Sequence, residues 1–215
     1  MRTQEIVEAY GKTHIYMIGM DDNPQPKHVE VIIKSVKHDN IFSGGKRHYE
    51  IVKPFLPADA VWIEIKAPIN AVLAEYSRLI QEGKVIVSFV SGDPFFFGFA
   101  STIQKNLIGV GMKVFPYFNS LQMFAHHEQI PYENMHAVSV TGRPWHELDR
   151  ALLECRPLIG VLTDHVHTPR AIAKRMMEYH LDKDYTMRVA EHLGNPKKEK
   201  IYNIYSIEEI SEMSF

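Results

Sequence analysis

The sequence predicts an α/β protein of two domains, the first built on a mostly parallel sheet and the second on a mixed one. Three observations predict it. Short apolar runs that stop at glycine alternate with stretches of helical periodicity, the pattern of strand–helix–strand units joined by right-handed crossovers. The run Lys84 to Val90 (KVIVSFV) is apolar on both faces, as a central parallel strand covered by helices on each side must be. Near the end of the chain, two strand-like runs, Tyr185 to Glu191 and Glu199 to Tyr205, follow one another without a helix between them, which predicts an antiparallel finish.

Taken in order, His14 to Gly19 is an apolar run that passes into the turn formers Met20-Asp21-Asp22-Asn23-Pro24, so it reads as a buried first strand. His28 to Lys37 fits a helix, Asn40 to Gly45 a second strand closed by paired glycines, and Ala60 to Ile65 a third. Pro68 stands at a helix start, and Val72, Leu73, Tyr76, Leu79 and Ile80 give one apolar stripe that ends near Gly83. After KVIVSFV come a helix from about Gly98 to Leu107 and a fifth strand at Lys113 to Phe115. The rhythm then changes, which sets a boundary near Pro116 to Phe118 and domains of 1–116 and 117–215. In the second, helices are expected over Asn119 to Glu128, Trp145 to Glu154 and Pro169 to Tyr179, with strands at Ala137 to Thr141 and Leu158 to Thr163.

Composition bounds the partners. With 215 residues the chain can bury a sizeable core, and 45% hydrophobic with 23% charged residues is ordinary for a globular protein. A net charge of −2 argues against a dedicated nucleic-acid binder, which needs a surplus of Lys and Arg to neutralise phosphates. One cysteine, Cys155, cannot close an internal disulfide, so a reducing compartment, the cytoplasm, is expected. Met1 to Gly11 has no apolar core of a secretory signal, and no run approaches the roughly 18 apolar residues of a membrane span.

Ligands of open α/β sheets bind outside the carboxyl ends of the strands, which directs attention to Ser91-Gly92-Asp93-Pro94-Phe95-Phe96-Phe97-Gly98. Gly92 permits close backbone approach, Asp93 can accept from an amine or a ribose hydroxyl, and the phenylalanines can wall a flat ligand. The same residues also make an ordinary turn over core aromatics. Arg143, after Val138-Ser139-Val140-Thr141-Gly142, suits a carboxylate, and Lys46, Arg47 and His48 add basic groups after the second strand. Together they make an anionic substrate plausible.

Other signals point away from alternative chemistries. Gly11-Lys12-Thr13 mimics the end of a phosphate loop, but the glycine required five residues earlier is Ile6. The loop Gly19-Met20-Asp21-Asp22 lacks a dinucleotide fingerprint, and its acids would repel a pyrophosphate. His165 and His167 share a face in an extended segment yet have no third ligand nearby, so they read as solvated loop histidines and no metal is expected. Cys155 has no base beside it.

These landmarks together resemble the tetrapyrrole (corrin/porphyrin) methylases, and within them the branch that methylates C5 of precorrin-7 or cobalt-precorrin-7. The resemblance rests on residues 91–98, on Phe118-Asn119-Ser120-Leu121-Gln122, on Thr141-Gly142-Arg143-Pro144, on Gly160-Val161-Leu162-Thr163-Asp164 with Thr168-Pro169, and on Glu191-His192-Leu193-Gly194-Asn195-Pro196. It covers nearly the whole chain, and Ser43 to His48 is similar to the family's second-strand exit. It implies two α/β domains with the active site in the cleft between them, a homodimer, S-adenosyl-L-methionine as methyl donor and a tetrapyrrole polycarboxylate as substrate. By position, the cofactor would meet Ser91, Gly92, Asp93, Phe96, Asn119, Ser120, Leu162, Leu193 and Gly194.

Lys46, Arg47 and Arg143 are the candidates to hold the substrate's carboxylates. A sulfonium methyl is already a strong electrophile, so alignment and exclusion of water are what the protein must supply, and no catalytic nucleophile is expected. Two departures from the family pattern stand out: Gly19-Met20-Asp21-Asp22-Asn23 replaces a Gly-x-Gly-Pro-Gly loop thought to border the tetrapyrrole, and Asn119 stands where a small hydroxyl residue is common. Some homologues join this unit to a second one that methylates C15 and removes a carboxyl group. The other readings are methylation of a different corrin carbon, a sirohaem-type uroporphyrinogen methylase, a nucleotide-dependent oxidoreductase, or a module that binds nucleoside or tetrapyrrole without turnover.

Overall fold

The computed structural model describes residues 12–203 and 206–215, so Met1 to Gly11, on which the absence of a secretory signal was read, and Ile204 and Tyr205, the end of the last expected strand, lie outside the described residues. The chain divides into two compact units, Met1–Asn119 and Ser120–Phe215.

The first unit carries strands β1 (Ile15–Met20), β2 (Ile41–Gly44), β3 (Val61–Glu64), β4 (Ile86–Ser91) and β5 (Met112–Phe115), with helices α1 (Lys27–Ser35), α2 (Lys46–Val52), α3 (Ile69–Gln81) and α4 (Phe99–Asn106) between them. The sheet order is β3-β2-β4-β1-β5 and every pairing is parallel. The most apolar run is therefore the middle strand. Its alternate residues face two separate cores: Ile86 and Val90 pack with Ile15, Met17, Leu73, Tyr76 and Ile103, while Val87 and Phe89 pack with Ile18, Phe42, Val29, Ile33 and Val52. Burying a side chain the size of Phe89 contributes about 2 kcal/mol. Ser88, the one polar residue buried in mid-strand β4, accepts from the Tyr76 hydroxyl at 3.1 Å, and burial pushes Tyr76 up to about 12.

Helix α2 is where sequence and structure part, because Lys46, Arg47 and His48 form its first turn instead of a loop. Two helical turns with one buried residue, Val52, are too few to show a periodicity. What starts the helix is local: the Gly45 N–H donates to the His48 ring nitrogen Nδ1 at 3.1 Å.

The second unit holds α5 (Ser120–His127), β6 (His136–Ser139), α6 (His146–Leu153), β7 (Ile159–Leu162), α7 (Pro169–Glu178), β8 (Val189–Glu191), β9 (Lys200–Tyr202) and α8 (Ile207–Glu212). The expected mixture of strand senses is met by two separate pairs, β6 with β7 parallel and β8 with β9 antiparallel. Helix α8, which the sequence reading did not anticipate, is capped by the Ser206 hydroxyl and inserts Ile207 and Ile210 into a core with Val138, Leu148, Ile172 and Met176.

Candidate functional site

Sheet order gathers the polar groups of the first unit. β4 lies between β2 and β1, so the segments leaving all three strands at their carboxyl ends bring Ser91, Arg47 with His48, and Asp22 together. Arg47 donates from Nη2 to the Ser91 hydroxyl at 2.6 Å and from Nη1 pairs with the Asp22 carboxylate at 3.1 Å. Asp22 is 8% exposed, and its pairing offsets the cost of burying a carboxylate. His48 Nε2 lies 3.1 Å from the same Ser91 hydroxyl. Burial, with Arg47 adding to it and Asp22 opposing, lowers the His48 pKa to about 4, so the ring is neutral near pH 7.

The next residues set how close the backbone comes. Gly92 has φ +61°, and a Cβ there would lie 2.7 Å from the Asn119 Cα. Gly19, across from it, would place a Cβ 2.0 Å from the Gly92 carbonyl oxygen. No side chain larger than hydrogen fits at either point. The Gly92 N–H donates to the Met20 carbonyl at 2.8 Å, which ties the exit of β4 to that of β1. Asn119 is buried at 8% exposure, and Ser120, the first residue of α5, is exposed.

Asp93 is half-buried and uses Oδ1 to accept from the Phe95 N–H at 2.9 Å, so part of its acceptor capacity holds the turn. Phe95 and Phe97 are exposed at 46% and 38%, and Phe96 meets Phe97 edge to face with centroids 4.9 Å apart. The alternative that these phenylalanines are core does not hold for Phe95 and Phe97. Phe97 sits at φ 54°, a conformation costly for a bulky side chain, of the kind that recurs at ligand sites.

Beside this turn, Asp21, Asn23, Gln25, Pro26, Lys27, His28 and Tyr117 line an open cavity of about 340 Å³. His28 stacks on Tyr117 at 4.4 Å and bonds through Nε2 to the Gly19 carbonyl at 3.1 Å. Burial raises the Asp21 pKa against the hydrogen bond from the Asn23 N–H, and burial, then Asp21, raises that of Tyr117. The sequence reading did not nominate His28, Tyr117 or Asp22. The signal for Asp22 was the departure of the first loop from the family pattern, with Asp21 and Asp22 where a glycine and a proline are usual.

In the second unit, Arg143 lies in the turn after β6, where Gly142 again has φ +61°. The Asp164 carboxylate gathers this turn: Oδ2 accepts from the Gly142 N–H at 2.7 Å, and Oδ1 from those of Val166 at 2.9 Å and His167 at 2.6 Å. Burial alone would raise the Asp164 pKa, but these three donors and the His167 ring outweigh it and hold the carboxyl well below the usual range. His167 is thus not a solvated loop residue: its side chain is 15% exposed, bonds to Asp164 and meets Trp145 edge to face at 4.5 Å. Leu162 ends β7, its carbonyl accepting from the Val140 N–H at 3.0 Å, so it adjoins the Arg143 turn. Leu193 and Gly194 form a separate turn after β8, with Gly194 at φ 88° and its N–H donating to Glu199 at 2.7 Å. Within the first unit the structure joins Arg47 to Ser91 and Gly92 to Asn119, while Lys46 is simply exposed. Among the described residues no group of three or more His, Cys, Asp or Glu is placed to hold a metal, and no helix is long and apolar enough to cross a membrane.

Comparison with known proteins assigns the chain to a family. A Sinorhizobium sp protein, precorrin-6Y C(5,15)-methyltransferase (decarboxylating), is 27% identical over 135 residues, which are 62% of this chain and 31% of that protein, so the match spans about a third of the relative's length. Among solved structures, the cobalamin biosynthesis precorrin-6Y methylase of Archaeoglobus fulgidus superposes with a TM-score of 0.62 at 15% identity, over 94% of this chain and 92% of that one. The uroporphyrin-III C-methyl transferase of Thermus thermophilus, solved with S-adenosyl homocysteine, superposes with a TM-score of 0.65 at 19% identity, over 93% of this chain and 86% of the other. At those identities the two structures establish the fold. The model of the Tetrapyrrole (Corrin/Porphyrin) Methylases matches residues 29–210, and the chain belongs to that family.

Proposed function

We propose that this chain transfers a methyl group from S-adenosyl-L-methionine to C5 of precorrin-7 or cobalt-precorrin-7 in cobalamin biosynthesis. The methyl donor is that of the family, and the curated relative is a precorrin-6Y C(5,15)-methyltransferase. The observation that carries the reading is the exit of β4. There an exposed hydroxyl, a half-buried carboxylate and exposed aromatic rings surround a backbone that only glycine can bring so close. Such a surface fits an adenosyl group: Asp93 accepts from amine or ribose hydroxyls, Ser91 adds a hydroxyl, and the phenylalanines cover apolar faces. Gly92, Asn119, Ser120, Leu162, Leu193 and Gly194 complete the proposed contacts.

When bound, S-adenosyl-L-methionine supplies an electrophilic methyl on sulfur. The chain's residues then need only hold the ring carbon in line with it and keep water out. Lys46 and Arg143 are proposed to hold acetate and propionate carboxylates, which fixes which ring carbon is presented. Arg47, expected to do the same, has two of its nitrogens already engaged by Asp22 and Ser91. The test is incubation with precorrin-7, with and without cobalt, and S-adenosyl-L-methionine, followed by mass and carbon NMR analysis of the product. A single new methyl on C5 supports the reading. A methyl on another carbon, the outcome to which the substituted loop at Asp21 and Asp22 lends weight, would replace it with a different regiospecificity, and absence of turnover would refute catalysis on this substrate.

A further inference from the structure

The Ser91 hydroxyl is held in an unusual way. A serine hydroxyl has one hydrogen to give and two lone pairs to receive with. Arg47 fills one lone pair, since a guanidinium only donates, and does so at 2.6 Å. The other faces His48 Nε2 at 3.1 Å. Which way that contact runs depends on the ring's tautomer, and the opposite nitrogen decides it: Nδ1 receives the Gly45 N–H at 3.1 Å and therefore carries no hydrogen. A neutral ring with a bare Nδ1 carries its hydrogen on Nε2, so His48 also donates to Ser91. With both lone pairs filled, the hydroxyl hydrogen has no acceptor among these partners and is directed outward from an exposed residue. Asp22, buried and ion-paired, fixes Arg47 in this role.

We propose that Arg47 and His48 are positioning residues that turn the Ser91 hydroxyl into a one-way hydrogen-bond donor aimed at an acceptor atom of the bound adenosyl cofactor. The inference rests on the cofactor reading above and deepens it: it assigns Arg47 to orienting Ser91 instead of anchoring a substrate carboxylate, and it gives His48 a function. The contact requires an oxygen or nitrogen lone pair on the ligand, because Ser91 cannot receive.

Titration calorimetry with S-adenosyl-L-homocysteine tests this on the full chain. Ser91→Ala is expected to weaken binding about tenfold, and His48→Leu, which removes the Nε2 donor, about three- to tenfold. Because His48 acts only through Ser91, the double variant should bind as Ser91→Ala does, whereas independent roles would multiply the two losses. His48→Gln, which keeps an N–H near the Nε2 position, should stay within about twofold of the unsubstituted chain. Thermal melts accompany each titration. If His48→Leu does not fold, Arg47→Met alone and with Ser91→Ala gives the same cycle. Multiplying losses, or Ser91→Ala binding as tightly as the unsubstituted chain, would overturn the proposal while leaving the cofactor reading intact. Failure of the unsubstituted chain to bind would overturn both.

Discussion

The exits of β4 and of β6 with β7 solve one physical problem in opposite ways. Each is a turn at the carboxyl end of a parallel strand, each contains a glycine at φ +61°, and each has backbone N–H groups to satisfy. In the second unit one carboxylate, Asp164, satisfies three of those N–H groups and the His167 ring, so its acceptor capacity is spent on the fold. In the first unit side chains bind side chains: Asp22 holds Arg47, Arg47 and His48 hold Ser91, and a hydroxyl hydrogen is left over. Asp164 thus holds in place the turn that carries Arg143, whereas the exit of β4 keeps a directed donor of its own, the feature on which the proposed cofactor contact rests.

The two glycines give the largest contrast. Ala at either position pays the strain of a positive φ, about 1 kcal/mol, but at Gly92 the new Cβ also meets Asn119 backbone at 2.7 Å, whereas nothing lies within 4 Å at Gly142. Gly92→Ala is expected to cost about 3 kcal/mol and Gly142→Ala about 1 kcal/mol in urea unfolding. Equal costs would break the distinction between a crowded and an open turn. Asp164→Ala should follow at about 1–2 kcal/mol, because three N–H groups lose their acceptor and only that of His167 is partly buried, with Ser91→Ala changing stability by under about 0.5 kcal/mol. A large loss from Ser91→Ala would make it part of the scaffold after all.

Acid separates the two turns further. The His48 pKa falls from 6.5 to about 4 on folding, so the unfolded chain binds the proton first, and stability drops as pH falls through that window, by on the order of 3 kcal/mol. Asp164, whose pKa is lowered, keeps its contribution down to the ordinary carboxylate value and loses it only below. Unfolding of His48→Gln followed from pH 7 to pH 4 should therefore show a shallower decline than the unsubstituted chain. An identical slope would place the titration elsewhere. Arg143→Ala is expected to raise the substrate KM several-fold, about 1 kcal/mol, while leaving S-adenosyl-L-homocysteine affinity unchanged; loss of both would make Arg143 structural.

The parts of the site readable in the sequence were those with local signatures. KVIVSFV announced the central strand because burial on two faces leaves no alternation, and Ser-Gly-Asp-Pro announced the turn because Gly and Pro restrict the backbone within a few residues. Helix α2 had no such mark, its capping contact being a ring nitrogen of His48 reaching back to Gly45. The clamp on Ser91 was illegible for a different reason. Arg47 and Asp22 lie 25 residues apart, and Arg47 and Ser91 44, so their meeting depends on β4 lying between β2 and β1. Asp22 taken by itself reads only as a charge that repels phosphate; its neighbour makes it a support.

The claim on which the account stands is that the exit of β4 seats the cofactor. Calorimetric titration of S-adenosyl-L-homocysteine into Asp93→Ala beside the unsubstituted chain tests it most directly. The expected result is a loss of about 1–3 kcal/mol in binding, with only a small fall in melting temperature from the lost acceptor of the Phe95 N–H. Equal affinities in the two proteins would contradict it.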